Sequence, residues 1–317
     1  MTKIAFVFPG QGSQVVGMGE EFTRLSAESK AFYSKADQTL GFDLSKLMLE
    51  GPAETLTLTY NAQPALLTTG VMVAEKLRAA GIEPHFAAGH SLGEYSALVT
   101  SGVLSFEDAV SIVHKRGLYM DEAVPAGQGA MAAILGMDAV ALRAVTDEVT
   151  SAGDAVQIAN VNCPGQIVIS GTKEGVEKAS VAAKEAGAKR AIPLVVSGPF
   201  HSELMRPCSE KLGEVLAQMT FANPEIPVIA NVHAAVLADV PAIKRELVEQ
   251  VYSPVLWEES VRKMIDLGVT VFIECGPGKV LSGLVKKIDR SVETHCVYDE
   301  ATLNTVVEAS KGWVINA

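Results

Sequence analysis

An apolar run at residues 82–88, the pentapeptide Gly89-His90-Ser91-Leu92-Gly93 and a helical pattern over 92–100 follow one another without a break. That order predicts a strand turning sharply into a helix. G-x-S-x-G at such a turn constrains the chain more than any other stretch. The serine sits on a tight, strained corner, and the flanking glycines remove side chains that would collide across it. Its hydroxyl is then presented at the mouth of a sheet, with the positive end of the following helix behind it. If Ser91 is a nucleophile, the Leu92 amide points to where an oxyanion forms during attack on a carbonyl. If it is structural, Ser91 is an N-cap between two glycines.

The stretch before this corner begins with a buried-strand pattern at 4–8, followed by Pro9-Gly10-Gln11-Gly12-Ser13-Gln14. This glycine-rich turn lacks the Lys-Ser/Thr of a phosphate loop. Helical patterns follow at 22–30 and 44–49, and a longer one is expected from Asn61, an N-cap type, to Gly81, a C′ type. Downstream of the corner, Ser105-Phe106-Glu107-Asp108 resembles a capping-box start. In the helix it opens, Ala109, Ile112, Val113, Tyr119, Met120 and Ala123 share one face at 3.6-residue spacing. Arg116 lies within that stripe, and His114 and Lys115 are expected to point away. A guanidinium on an apolar face requires an anion. The partner is either a structural Asp or Glu, or the carboxylate of a substrate gripped by the planar fork.

From residue 128 the pattern reads β-α-β-β-α-β, with strands at 129–135, 156–161, 166–170 and 190–196 and helices at 138–149 and 172–186. That is the order of a ferredoxin-like unit. It divides the chain into an insert, 128–197, and a main domain made of 1–127 plus 198–317. The insert is expected to wall one side of a cleft over Ser91. His201 follows directly, after a proline turn and before a helix. There it is either a catalytic imidazole on a junction loop or a capping residue. Strands and helices then alternate to the end of the chain. The expected fold class is α/β, a mostly parallel sheet flanked by helices and carrying the ferredoxin-like insert.

Composition removes several function classes. The 317 residues carry a net charge of −11 with no Lys/Arg-rich block, which argues against a nucleic-acid partner. No signal peptide and no apolar run of membrane-spanning length is read. The four cysteines are dispersed and read as reduced thiols in a cytoplasmic protein. The six histidines are scattered and none makes H-E-x-x-H, so no metal site is expected.

Taken together, these pieces resemble the malonyl-CoA:acyl carrier protein transacylases, the single-chain acyltransferases of fatty acid synthesis. The resemblance runs nearly end to end. It rests on Phe8-Pro9-Gly10-Gln11-Gly12-Ser13-Gln14, Gly89-His90-Ser91-Leu92-Gly93-Glu94, Arg116, and Asn160-Val161-Asn162-Cys163-Pro164-Gly165-Gln166. Phe200-His201-Ser202, Gln250-Val251-Tyr252-Ser253-Pro254-Val255-Leu256-Trp257 and Glu274-Cys275-Gly276-Pro277-Gly278 complete it. It implies Ser91 as nucleophile and His201 as its base, with the backbone carbonyl of Gln250 orienting the imidazole in place of a carboxylate. The amides of Gln11 and Leu92 are implied as the oxyanion hole. Arg116, Phe200 and Asn162 are implied as substrate contacts, with Arg116 on the malonyl carboxylate. The implied partners are malonyl-CoA, as substrate, and acyl carrier protein, with no cofactor required; a monomer is expected. Lys189-Arg190 and Lys286-Lys287-Arg290 are candidate docking clusters for the acidic carrier. Phe200 before the histidine is similar to malonyl-selecting domains of polyketide synthases, so the resemblance leaves fatty acid and polyketide supply both open. A serine esterase or lipase is the rival enzyme class.

Overall fold

The computed structural model describes residues 1–314. The chain opens with β1 (Ile4–Phe8), then α1 (Glu20–Leu25), α2 (Ala27–Leu40), α3 (Leu44–Glu50), α4 (Ala53–Thr57) and the long α5 (Thr59–Ala79). Next come β2 (Phe86–Gly89), α6 (Gly93–Thr100) and α7 (Phe106–Ala123). They lead into β3 (Gly129–Leu135), α8 (Ala139–Ser151), β4 (Val156–Cys163), β5 (Gln166–Thr172), α9 (Lys173–Glu185) and β6 (Arg190–Pro193). A 3-10 turn at Glu203–Met205 precedes α10 (Arg206–Gln218), β7 (Val228–Ile229), α11 (Val240–Gln250) and α12 (Trp257–Asp266). Finally come β8 (Val271–Cys275), α13 (Val280–Ile288), β9 (Glu293–Val297) and α14 (Glu300–Ser310).

β1 is the central strand of a five-stranded sheet in the order β7-β2-β1-β8-β9, every pairing parallel. Its side chains alternate between two cores, as a strand buried on both faces requires. Ile4, Phe6 and Phe8 enter one with Leu67, Leu98 and Ile112, and Ala5 and Val7 enter the other with Trp257, Val261 and Leu284. Burying each such phenylalanine contributes roughly 1.5–3 kcal/mol. A second, antiparallel sheet runs β4-β5-β3-β6 with α8 and α9 packed on it around its own core. The expected α/β architecture with a ferredoxin-like insert is therefore present. β4 also touches the main body. Val161 N–H donates to the Val255 carbonyl at 2.9 Å and Val255 N–H to Ala159 at 2.8 Å.

The structure corrects several element boundaries. α5 begins at Thr59, and Asn61 is buried inside it, its amide donating to the Thr55 carbonyl at 3.0 Å. Pro64 lies within this helix and cannot donate to the Tyr60 carbonyl one turn earlier. That carbonyl is taken instead by His114 Nδ1 at 2.7 Å. His114 is therefore engaged with α5 and does not point into solvent. The fourth strand of the insert ends at Pro193, and the following Leu194 amide still donates to the Met131 carbonyl of β3 at 3.0 Å. Residues 194–196, expected as strand, instead form an irregular segment that reaches the cavity described next.

Candidate active site

Ser91 sits at the end of β2 with φ 52°, in the left-handed region that L-residues seldom occupy. Both neighbouring glycines are required by contact. A Cβ on Gly89 would stand 1.8 Å from the Gly93 carbonyl carbon, and one on Gly93 would stand 2.1 Å from the Phe8 carbonyl oxygen. The strained corner is braced from outside the motif. Asn231, just past β7, accepts from the Ser91 amide at 2.7 Å and donates to the Gly89 carbonyl at 2.7 Å. The backbone cost of the corner, of order 1–3 kcal/mol, is held by these bonds.

The Ser91 hydroxyl lies 2.8 Å from His201 Nε2. His201 also has a positive φ, 57°, and is only 4% exposed. Its Nδ1 lies 2.8 Å from the Gln250 carbonyl, the acceptor expected there. A carbonyl can only accept, so Nδ1 carries the proton and Nε2 is left as the acceptor for the serine hydroxyl. Burial, reinforced by the Arg116 charge, pushes the imidazole pKa down to about 3. The ring is therefore neutral, and able to take a proton, throughout the ordinary pH range. Gln157 of β4 secures this loop. Its amide donates to the carbonyls of His201 and Tyr252, both at 3.2 Å, and its oxygen accepts from the Glu203 amide at 2.9 Å.

Arg116, 1% exposed, reaches the same point from α7. It donates to Gln63 Oε1 at 2.8 Å, to Gln250 Oε1 at 2.8 Å and to Ser91 Oγ at 3.1 Å. None of the ion pairs found among the described residues engages it. Its Nε–H is buried without an acceptor. The structural-carboxylate alternative is thus not realised as a contact. The charge is held by two neutral amides beside a nucleophile-type serine, which leaves it free to attract a ligand anion.

Among the described residues, the amides of Gln11 and Leu92 have no hydrogen-bond acceptor. The two segments carrying them lie in contact, since a Cβ on Gly10 would stand 2.6 Å from the His90 carbonyl oxygen. Ser91, His201, Arg116, Phe200, Gln11 and Leu92 all border one cavity of about 190 Å³. The insert contributes Met131, Asn160 and residues 194–196 to its wall. Three larger surface clefts, near His295, near Tyr298 and near His233, contain none of the three central side chains. Among the described residues no cluster of His, Cys, Asp or Glu could hold a metal ion.

One expected contact is placed differently. Asn162 does not border the cavity, its Oδ1 being 2.8 Å from His90 Nε2, and Asn160 takes the wall position. Register shifts in β4 between Ile158 and Asn160, and between Val161 and Cys163, break the simple two-residue alternation along this edge. Gln63, Glu94, Asn231 and Gln157 went unrecognised as site residues. Only Glu94 had a local signal, its place directly after the serine motif.

A hydroxyl bonded to a neutral imidazole, two free amides and an unpaired guanidinium in one cavity can perform acyl transfer from a substrate bearing a carboxylate. Comparison with known proteins agrees. A family model described as acyl transferase domain matches residues 5–306. The chain is 61% identical over 311 residues to the malonyl CoA-acyl carrier protein transacylase of Bacillus subtilis, covering 98% of both chains. It is 46% identical to the transacylase of Escherichia coli K12, over 97% of this chain and all of the relative. Among solved structures, an acyl carrier protein S-malonyltransferase from Vibrio cholerae superposes with a TM-score of 0.94 at 47% identity, over 96% of this chain and 100% of that one. A malonyl-transacylase in complex with its type II polyketide acyl carrier protein also gives 0.94, at 43% identity over 97% of this chain and 100% of that one. The chain belongs to the acyl transferase domain family.

Proposed function

We propose that the protein transfers a malonyl group from malonyl-CoA to the pantetheine thiol of an acyl carrier protein, through a malonyl ester on Ser91. His201 Nε2 takes the serine proton as Oγ attacks the thioester carbonyl. The negative charge developing on the carbonyl oxygen is received by the Gln11 and Leu92 amides, each of the kind whose removal costs about 3–4 kcal/mol. Collapse breaks the C–S bond, and His201 returns the proton to the departing CoA sulfur. The carrier thiol then attacks the ester, giving its proton to His201, and Ser91 leaves with that proton. Atoms balance without a cofactor.

The observation that carries this reading is the Arg116 guanidinium, 3.1 Å from Ser91 Oγ and not paired with any carboxylate. A substrate whose far end is a carboxylate satisfies it, and an acetyl group does not. Hydrogen bonds to charged groups contribute about 1.5–3 kcal/mol, so this contact separates malonyl from acetyl by roughly tenfold to a hundredfold. Phe200, bordering the same cavity, would crowd an α-methyl and so favours malonyl over methylmalonyl. The rival esterase reading is disfavoured because a carbonyl, not a carboxylate, stands behind His201. We assign the activity to fatty acid synthesis in the cytoplasm, as a monomer. All four cysteines are free thiols, which supports a reducing compartment.

Intact mass measurement after mixing with malonyl-, methylmalonyl- or acetyl-CoA tests the proposal. A malonyl adduct mapping to Ser91, lost in Ser91→Ala, is expected. Arg116→Ala should lose malonyl loading far more than acetyl loading. An adduct elsewhere, or equal losses for the two acyl groups, would remove these residues from the roles given.

A further inference from the structure

Beneath the serine corner lies a carboxyl group that the transfer steps do not use. Glu94, on the first turn of α6, is fully buried. Its Oε1 accepts from the Asn231 amide at 3.2 Å and its Oε2 from Gln250 Nε2 at 2.5 Å. The same Gln250 nitrogen donates to the Ser91 carbonyl at 3.0 Å, while Gln250 Oε1 faces Arg116 Nη2 at 2.8 Å.

A glutamine amide can be turned either way by its surroundings. Here the two acceptors, Glu94 and the Ser91 carbonyl, hold the NH2 group on one side. The oxygen is thereby aimed at the guanidinium. Turned over, the amide would press its NH2 against Arg116 and its oxygen against two other oxygens, three unfavourable contacts in a buried site. Glu94 is thus linked to Arg116 through one side-chain amide inserted between them, while burial and the neighbouring Glu246 push the Glu94 carboxyl well above the usual carboxylate range. No salt bridge within 4.0 Å supplies Arg116 with a nearer carboxylate among the described residues.

We propose that Glu94 is a positioning residue for the carboxylate grip: through the Gln250 amide it fixes the Arg116 guanidinium and so sets the preference for malonyl over acetyl. This rests on the transfer reaction proposed above. It adds a residue that touches neither substrate nor reacting atoms.

The test is the ratio of malonyl to acetyl loading rates on Ser91, measured for wild type, Glu94→Gln, Gln250→Met and Arg116→Met, with thermal melts in parallel. In Glu94→Gln one of the two acceptors becomes a donor, so either Asn231 or Gln250 meets an N–H where it had an oxygen. Loosening of the Asn231 brace slows both acyl groups alike, because both use the same serine. Loosening of Gln250 lowers the ratio, by about tenfold if one charge-assisted hydrogen bond is misdirected. Gln250→Met, which keeps the backbone carbonyl behind His201, should lower the ratio similarly, and if Glu94→Gln does not fold, Glu94→Asp, which draws the carboxyl back from Gln250, is read for the same fall in ratio. In the Arg116→Met background, Glu94→Gln should change the ratio no further. A ratio equal to wild type in the single variants overturns the proposal even if overall rates fall. So does a further drop in the double variant. A wild type that is not loaded on Ser91 overturns instead the transfer reaction itself.

Discussion

Arg116 and His201 share a buried wall, and each shapes the other's chemistry. The guanidinium adds to burial in disfavouring imidazolium, which keeps the base unprotonated well below the usual histidine range. The sign follows directly. A base acts in its neutral form, which persists at every pH above its pKa, and here that pKa is about 3. The rate of Ser91 loading should therefore show no acid limb near pH 6.5, the ordinary histidine value. Replacing Arg116 with methionine removes the second cause of the shift. The His201 resonance, followed by NMR in that variant, should titrate at higher pH than in wild type. A wild-type imidazole that titrates near 6.5 would contradict the coupling.

At the scale of elements, the site depends on how closely α5 and α7 approach. α7 delivers Arg116 and α5 delivers Gln63, the two joined at 2.8 Å. Their contact is fitted at Gly117, where an added Cβ would stand 2.5 Å from the Tyr60 Cα and 2.7 Å from its nitrogen. Both obstacles are backbone, so neither can swing aside. A few residues away the Tyr60 carbonyl, freed by Pro64, is taken up by His114. The pair is thus locked by one small residue and by cross-helix hydrogen bonds at both His114 and Arg116. Gly117→Ala must push the helices apart. Overpacking of this kind typically costs about 1–3 kcal/mol, visible as a lowered Tm. The same displacement separates Gln63 from Arg116, so malonyl loading should fall more than acetyl loading. An unaltered melt would show that the helices have room to yield.

Across the whole molecule, the net charge of −11 opposes an acidic carrier protein, so docking requires local positive surface. Folding brings the two basic clusters to the same end of the insert. Lys189 lies over Gly136, whose amide donates to the Gly165 carbonyl at 2.8 Å. Lys287 reaches Gln166 at 3.4 Å in the same β4–β5 turn. Lys189, Arg190, Lys286 and Lys287 are all exposed. Reversing charge at Lys189 and Lys287 together should raise the carrier-protein KM several-fold at low salt and less at high salt. The malonyl-CoA half-reaction should be unaffected. A carrier KM that does not move would exclude this face as the docking surface.

Much of this was written in local patterns. Strand periodicity over residues 4–8, the β-α-β-β-α-β order of the insert and the glycine-flanked Ser91 each follow from interactions among near neighbours in sequence. Arg116 announced itself the same way, as a charge on an apolar helix face that had to meet an anion. What the sequence could not specify were contacts between residues far apart along the chain: Asn231 bracing the Ser91 amide, Gln157 tying the insert to the His201 loop, and Glu94 acting on Arg116 through Gln250. The places of Asn160 and Asn162 were likewise decided by bulges in β4 rather than by alternation. Near-neighbour sterics and burial set which elements form. The partner of a buried polar group is chosen only when packing removes water and leaves each donor one acceptor within reach.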